Sequence, residues 1–100
     1  MEIRSGSIRF DRFRGSGPRT QSRDVNMGIT PRQSTVIMTG IRAAFSRSGG
    51  DHHLGNLEIR LASTASGSNV RVTATFGLRD WSFEWDDDYE GEVFFAVIAE

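Results

Sequence analysis

The stretch Leu57-Glu58-Ile59-Arg60-Leu61-Ala62-Ser63-Thr64-Ala65-Ser66-Gly67-Ser68-Asn69-Val70-Arg71-Val72-Thr73-Ala74-Thr75-Phe76-Gly77-Leu78 decides the fold class. Leu57, Ile59 and Leu61 alternate with Glu58 and Arg60, and Val70, Val72, Ala74, Phe76 and Leu78 alternate with polar or small neighbours. Side chains along a strand point to opposite faces with a period of two, so each run has one apolar face. Between them, residues 64–69 are small and polar around Gly67, a turn of hairpin length. The pattern predicts an antiparallel hairpin with one face buried and the other in water.

The same period recurs outward from this hairpin, and helical periodicity does not. Ser34–Phe45 (STVIMTGIRAAF) reads as a long strand with Ile37, Thr39, Ile41, Ala43 and Phe45 on one face. Val36 and Met38 fall on the other, so its first half is expected to be covered on both sides. Val25 and Met27 mark a short strand ended by Gly28 and Pro31, and Ile3, Ile8 and Phe10 mark a first strand whose register changes at a bulge at Gly6. Residues 11–22, rich in Gly, Ser, Pro and Arg, read as a loop, as do the glycine-rich residues 46–56 and the acidic, aromatic residues 79–91. The last strand, residues 92–99, is apolar on both faces at Val93, Phe94, Phe95, Val97 and Ile98. Such a strand left at an open edge invites aggregation, so it must be central in a sheet or buried by a second copy. Six short strands in one domain, residues 1–100, predict an all-β, six-stranded antiparallel β-sandwich, with a small open barrel as the competing arrangement.

Composition narrows the function classes. The chain has 100 residues, 37% hydrophobic and 10% aromatic, enough for one modest core. Cysteine is absent, which excludes disulfides and thiolate metal sites. No apolar run approaches the length of a transmembrane helix and no basic-then-apolar leader follows Met1, so the expectation is no membrane insertion and a cytoplasmic or non-classically released protein. The formal net charge of −1 conceals a segregation: all twelve basic residues are arginine, nine of them in residues 1–50, while ten of the thirteen acids lie in residues 51–100. Arginine binds carboxylates bidentately and stacks on aromatics. The charge pattern therefore predicts Arg–carboxylate contacts between strands or between copies.

Residues 79–91 hold four aromatics and six carboxylates. Exposed tryptophans beside carboxylates suit a sugar, because the indole packs on the apolar face of a pyranose while charged groups bond its hydroxyls. The competing reading has Trp81, Phe83 and Trp85 alternating inward to cap the core. Asp86, Asp87, Asp88 and Glu90 offer oxygens to calcium, although their spacing is not that of an EF-hand. Asp51-His52-His53 suggests zinc, but adjacent side chains on an extended segment diverge and no further His or Cys completes the set. His53 facing a cleft would instead bond a sugar hydroxyl. The Arg-aromatic-Gly run of residues 9–23 resembles single-stranded nucleic-acid binders in composition only, and the net charge argues against phosphate affinity. There is no nucleophile elbow, phosphate loop or dinucleotide fingerprint, and nothing holds two carboxylates at glycosidase spacing, so the chain reads as non-catalytic and free of cofactors.

The order of these features resembles the H-type lectin domain of snail agglutinins and discoidin C-terminal regions. The likeness is carried by Ile3-Arg4-Ser5-Gly6-Ser7-Ile8, by Val36-Ile37-Met38-Thr39-Gly40-Ile41, by the hairpin of residues 56–78, and by a Trp-containing loop before the terminal strand. The resemblance implies a six-stranded sandwich assembled as a homotrimer, with a glycan, often N-acetylgalactosamine, bound in clefts between protomers. It carries over Arg60 as the arginine on the strand after the long loop and Asp11 as an acidic sugar contact. Trp81 or Trp85 stands where the family has a Trp-His pair, although Ser82 or Asp86 follows in place of histidine. The site expected from both readings is Asp11, His53, Arg60, Trp81, Trp85 and Asp86. The alternative is a structural, self-assembling subunit of a filament, phage tail or injection apparatus that uses the same sandwich without a sugar.

Overall fold

In a computed structural model, which describes residues 1–13, 17–46, 53–82, 84–85 and 88–100, the described chain is all β with no helix. The six strands are β1 (Glu2–Phe13), β2 (Arg19–Asn26), β3 (Ser34–Phe45), β4 (Leu54–Ser66), β5 (Asn69–Asp80) and β6 (Tyr89–Ala99). They form two three-stranded antiparallel sheets, ordered β1-β6-β3 and β2-β5-β4, which make an elongated sandwich of 46 × 19 × 18 Å. The β4–β5 hairpin follows the sequence pattern, with Leu57, Ile59 and Leu61 opposite Leu78, Phe76 and Ala74. Its strands run further than the expected turn allows, closing over Gly67 and Ser68 alone. Gly67 takes a φ of 61°, the left-handed conformation that a two-residue hairpin loop requires.

β6 is the centre of its sheet. Tyr89, Val93, Phe95, Val97 and Ala99 point inward and meet Val70, Val72, Ala74, Phe76 and Leu78 of β5, the centre of the other sheet. Ile8 and Phe10 of β1 and Met27 after β2 complete the buried set, and Phe10 and Tyr89 flank Phe76 at ring separations of 5.2 and 5.5 Å. Burying such a side chain contributes about 2–3 kcal/mol, so the paired central strands carry most of the core.

Three expectations are corrected. Residues 2–10 of β1 pair with β6 in unbroken register, and the irregularity falls between Phe10 and Phe13 rather than at Gly6. Ile3 and Ile8 therefore lie on opposite faces without any bulge, and Gly6 lies inward, where a methyl would overlap the Phe95 ring. In β3 the register shifts between Met38 and Gly40. Thr39 is the extra residue, so Val36 shares the inner face with Ile41, Ala43 and Phe45, while Ile37 turns outward. Ile37 and Met38 are both 47% exposed, so the first half of β3 is not covered on both sides. Finally, residues 11–22 are not one loop: β1 reaches Phe13 and β2 begins at Arg19.

Candidate functional site

The ends of β1, β3 and β5 and the starts of β4 and β6 gather at one end of the sandwich. Phe13 and Phe45, the last residues of β1 and β3, both stand opposite Tyr89 at the start of β6, and Leu54 at the start of β4 stands opposite Asp80. Asp11, His53, Trp81 and Trp85 belong to this end. Arg60, opposite Thr75, lies partway along β4 on the outer face, ion-paired with Glu58 at 3.1 Å. Asp86 falls outside the described residues, as do Asp51, His52, Phe83 and Asp87.

Trp81 and His53 come together. The Trp81 backbone N–H donates to the His53 carbonyl at 3.0 Å, fastening the end of the β4–β5 hairpin. Asp80 turns inward and is buried, and its carboxylate accepts from the Ser82 N–H at 2.9 Å and from the Ser82 hydroxyl. That side-chain-to-backbone turn reverses the chain directly after the strand. It leaves Trp81 projecting outward, 71% exposed, with the His53 ring edge-on at 6.2 Å and 83°. Between the edges of β3 and β4, reached from His53 through its neighbour Leu54, lies a cavity of about 250 Å³ lined by Ala43, Ala44, Phe45, Leu54, Leu57 and Leu78. The group presents an aromatic face, an imidazole with hydrogen-bonding nitrogens and an aliphatic shelf.

Trp85 has a different setting. It is half-buried, with its ring 5.0 Å from the Arg79 guanidinium and 6.2 Å from the Tyr89 ring. A methyl at Gly77 or at Gly17 would overlap this indole, so the two glycines make the space it fills. Of the two tryptophans the packing one is Trp85 and the solvent-facing one is Trp81.

Asp11 is exposed, 3.1 Å from Arg9, on the β1 side of the end. Since β1 packs over β2 and β3 over β4, Asp11 and Trp81 lie on opposite sides of the same protomer. Of the calcium set, Asp88 and Glu90 are described: Asp88 faces Arg12 at 3.7 Å, and Glu90 accepts from the Ser46 hydroxyl at 3.2 Å. Among the described residues no group of three His, Asp or Glu side chains is arranged to hold a metal ion.

Among the described residues the expected Arg–carboxylate contacts between strands include Arg71 of β5 with Asp24 of β2 and Arg12 of β1 with Asp88, beside the local pairs Arg4–Glu2, Arg9–Asp11 and Arg60–Glu58. The longer reach is to backbone carbonyls across the β1–β2 side. Arg4 donates to Met27 O at 3.3 Å, Arg23 to Ser7 O at 3.0 Å, and Arg19 to Asp11 O at 2.7 Å and Tyr89 O at 2.9 Å. The Arg19 guanidinium also lies 4.5 Å from the Tyr89 ring centroid and 5.6 Å from that of Phe10. These side chains seal one side of the sandwich with aliphatic stems and cationic heads, where the other side has aliphatic residues alone. Period-two spacing of Arg19, Gln21, Arg23 and Val25 was the available signal, and polarity disguised it. On the outer face of the second sheet, Arg71 grips Asp24 through two hydrogen bonds of 2.9 and 3.3 Å, and this bonding holds the Asp24 carboxyl below its ordinary value.

Set against known protein families, curated proteins and solved structures, the chain matches none of them.

Proposed function

We propose that the protein is a non-catalytic carbohydrate-binding module, assembled as a homotrimer, that holds a glycan at the boundaries between protomers. The observation that carries this reading is Trp81, an indole 71% exposed on a hydrogen-bonded turn, with His53 against it. A large aromatic held out in water by a rigid turn loses little conformational entropy when a pyranose face stacks on it. His53 and the cavity that begins at its neighbour Leu54 supply a hydroxyl partner and an apolar shelf. Asp11 enters from a neighbour: a ring that sets β1 of one copy beside β3 of the next brings the acid of one protomer to the aromatic platform of another. Each site is shallow and weak, and several on one assembly gain through multivalency. Arg60 and Trp85 lie apart from this group and take no direct part.

The resemblance to the H-type lectin domain supports the same reading, which a glycan array tests. Wild-type protein is expected to bind a restricted set of glycans, and Trp81→Ala to lose them with unchanged mass and circular dichroism. A folded, assembled wild-type protein without glycan signal contradicts the proposal. That result selects the second reading, a structural subunit that only assembles, which the exposed apolar face of β1-β6-β3 favours.

A further inference from the structure

The two sides of the sandwich, where the edges of its sheets face each other, differ in what fills them. On the side of β1 and β2, the Arg19 side chain crosses the gap, lies over the Tyr89 and Phe10 rings and ends on the Asp11 and Tyr89 carbonyls. On the side of β3 and β4 stands the cavity of about 250 Å³, lined by Ala43, Ala44 and Phe45 of β3, Leu54 and Leu57 of β4 and Leu78 of β5. None of these lining side chains is polar. Leu54 is 62% exposed and Leu57 40%, so hydrocarbon surface at this cavity is left in water. We propose that the cavity takes a saturated hydrocarbon chain carried by the sugar, which makes the ligand an alkyl glycoside of the kind that forms the head of a glycolipid. The inference rests on the carbohydrate-binding reading and names the class of glycan held at the same site.

Four observations select this occupant. The first is chemical. Methyl groups, methylenes and one aromatic ring offer no side-chain hydrogen bond to a hydroxyl, and a charge placed among them would lose its hydration without a partner. The second is continuity. Leu54 lines the cavity and is the neighbour of His53, whose ring lies against Trp81, so a ligand with a polar head and an apolar tail spans both. The third is size. A dry cavity of about 150 Å³ takes a benzene ring, so one of about 250 Å³ suits a chain of roughly eight carbons. Its few lining side chains fall far short of the roughly 20–30 residues that a partner protein covers. The fourth is the opposite side of the molecule. There the gap between the sheet edges already holds a linear run of methylenes, the Arg19 stem, with its polar head on carbonyl oxygens.

The test is a titration of the full chain with methyl, butyl, hexyl and octyl β-glucosides below their micellar concentrations, followed by methyl NMR at Leu54, Leu57 and Leu78. Affinity is expected to rise about twofold to fourfold for each added methylene, with the shifts centred on these leucines. Leu57→Asp is expected to remove the dependence on chain length. Ala44→Glu, at an exposed position of β3, is expected to do the same and keeps the test valid should Leu57→Asp unfold. Trp81→Ala is expected to weaken every member of the series by a similar factor and to preserve the dependence. Affinity that does not change with chain length, or a dependence that survives both cavity substitutions, overturns the proposal. Binding of the methyl compound that Trp81→Ala abolishes upholds the carbohydrate reading even then. Octanol that binds as tightly as the octyl compound, with neither changed by Trp81→Ala, upholds the hydrocarbon site and contradicts the carbohydrate reading.

Discussion

The outer faces of the two sheets are opposites. On β2-β5-β4, Thr20, Ser22, Asp24, Arg71, Thr73, Thr75, Arg60 and Thr64 face outward, joined by short bonds such as Ser22 to Thr73 at 2.9 Å and Arg71 to Asp24. On β1-β6-β3 the outer positions hold Ile3, Ile37, Phe94, Ala96 and Ile98 among Ser5, Ser7 and Thr35, with the charged Arg9, Glu92 and Arg42 toward one end. The two central strands show the same contrast: β5 is apolar on one face and β6 on both. A sheet needs only one apolar face to fold against its partner. The second apolar face of β6 is thus surplus to the packing of the two sheets within one chain.

Adjacent phenylalanines break this comparison most sharply. Phe95 points into the core and is fully buried, whereas Phe94 points out. Phe95→Ala is expected to cost about 3–5 kcal/mol in denaturant unfolding. Phe94→Ala is expected to cost less than about 1 kcal/mol in the separated chain, where its ring is partly in water, yet to weaken the assembly measured by mass. Equal losses of stability from the two substitutions would erase the difference between the faces.

Smaller effects sharpen it. Arg19→Ala removes two hydrogen bonds to carbonyls and the stacking on Tyr89 and Phe10, an expected loss of about 1–3 kcal/mol by urea unfolding. No loss would mean that the β1–β2 side is not sealed by this guanidinium. Asp80→Ala removes the acceptor of the Ser82 turn and frees Trp81. Reduced glycan affinity at unchanged mass is expected, and unchanged affinity would separate the turn from binding. The smallest effect belongs to the polar face. The Asp24 carboxyl is lowered by its hydrogen bonds to Arg71, so whatever stability it adds is present above its unfolded value and is lost as pH falls through its folded value. Arg71→Ala should return the Asp24 titration, followed by NMR, to the ordinary carboxylate range.

The parts of the fold legible in the sequence are those where one face alternates cleanly. β4 and β5 could be paired from Leu57, Ile59, Leu61 and the Val70–Leu78 series, and the central place of β6 was one of the two arrangements its apolar faces allowed. The bulge at Thr39 was hidden because every residue from Val36 to Ile41 except Thr39 and Gly40 is large and apolar, so two registers fit equally well. β2 was foreshortened because its inward positions hold Arg19 and Arg23, which reach carbonyls instead of burying apolar surface. In the candidate site, Trp81 and Trp85 had equal standing in sequence. They were separated by features that only folding brings together: Asp80 reversing the chain before Trp81, and Gly17 and Gly77 clearing a place for Trp85. Asp11 and Trp81 share an end of the sandwich, but their sides became known only from the packing of β1 over β2 and β3 over β4.

The contrast between the two faces is tested most directly by methyl NMR with a soluble paramagnetic agent, at concentrations where the protein is assembled. The methyls of Ile3 and Ile37 are expected to be shielded like that of Ile8 in the core, while those of Thr64 and Thr73 relax strongly. Strong relaxation at Ile3 and Ile37, matching Thr64 and Thr73, would show both faces open to water and would contradict it.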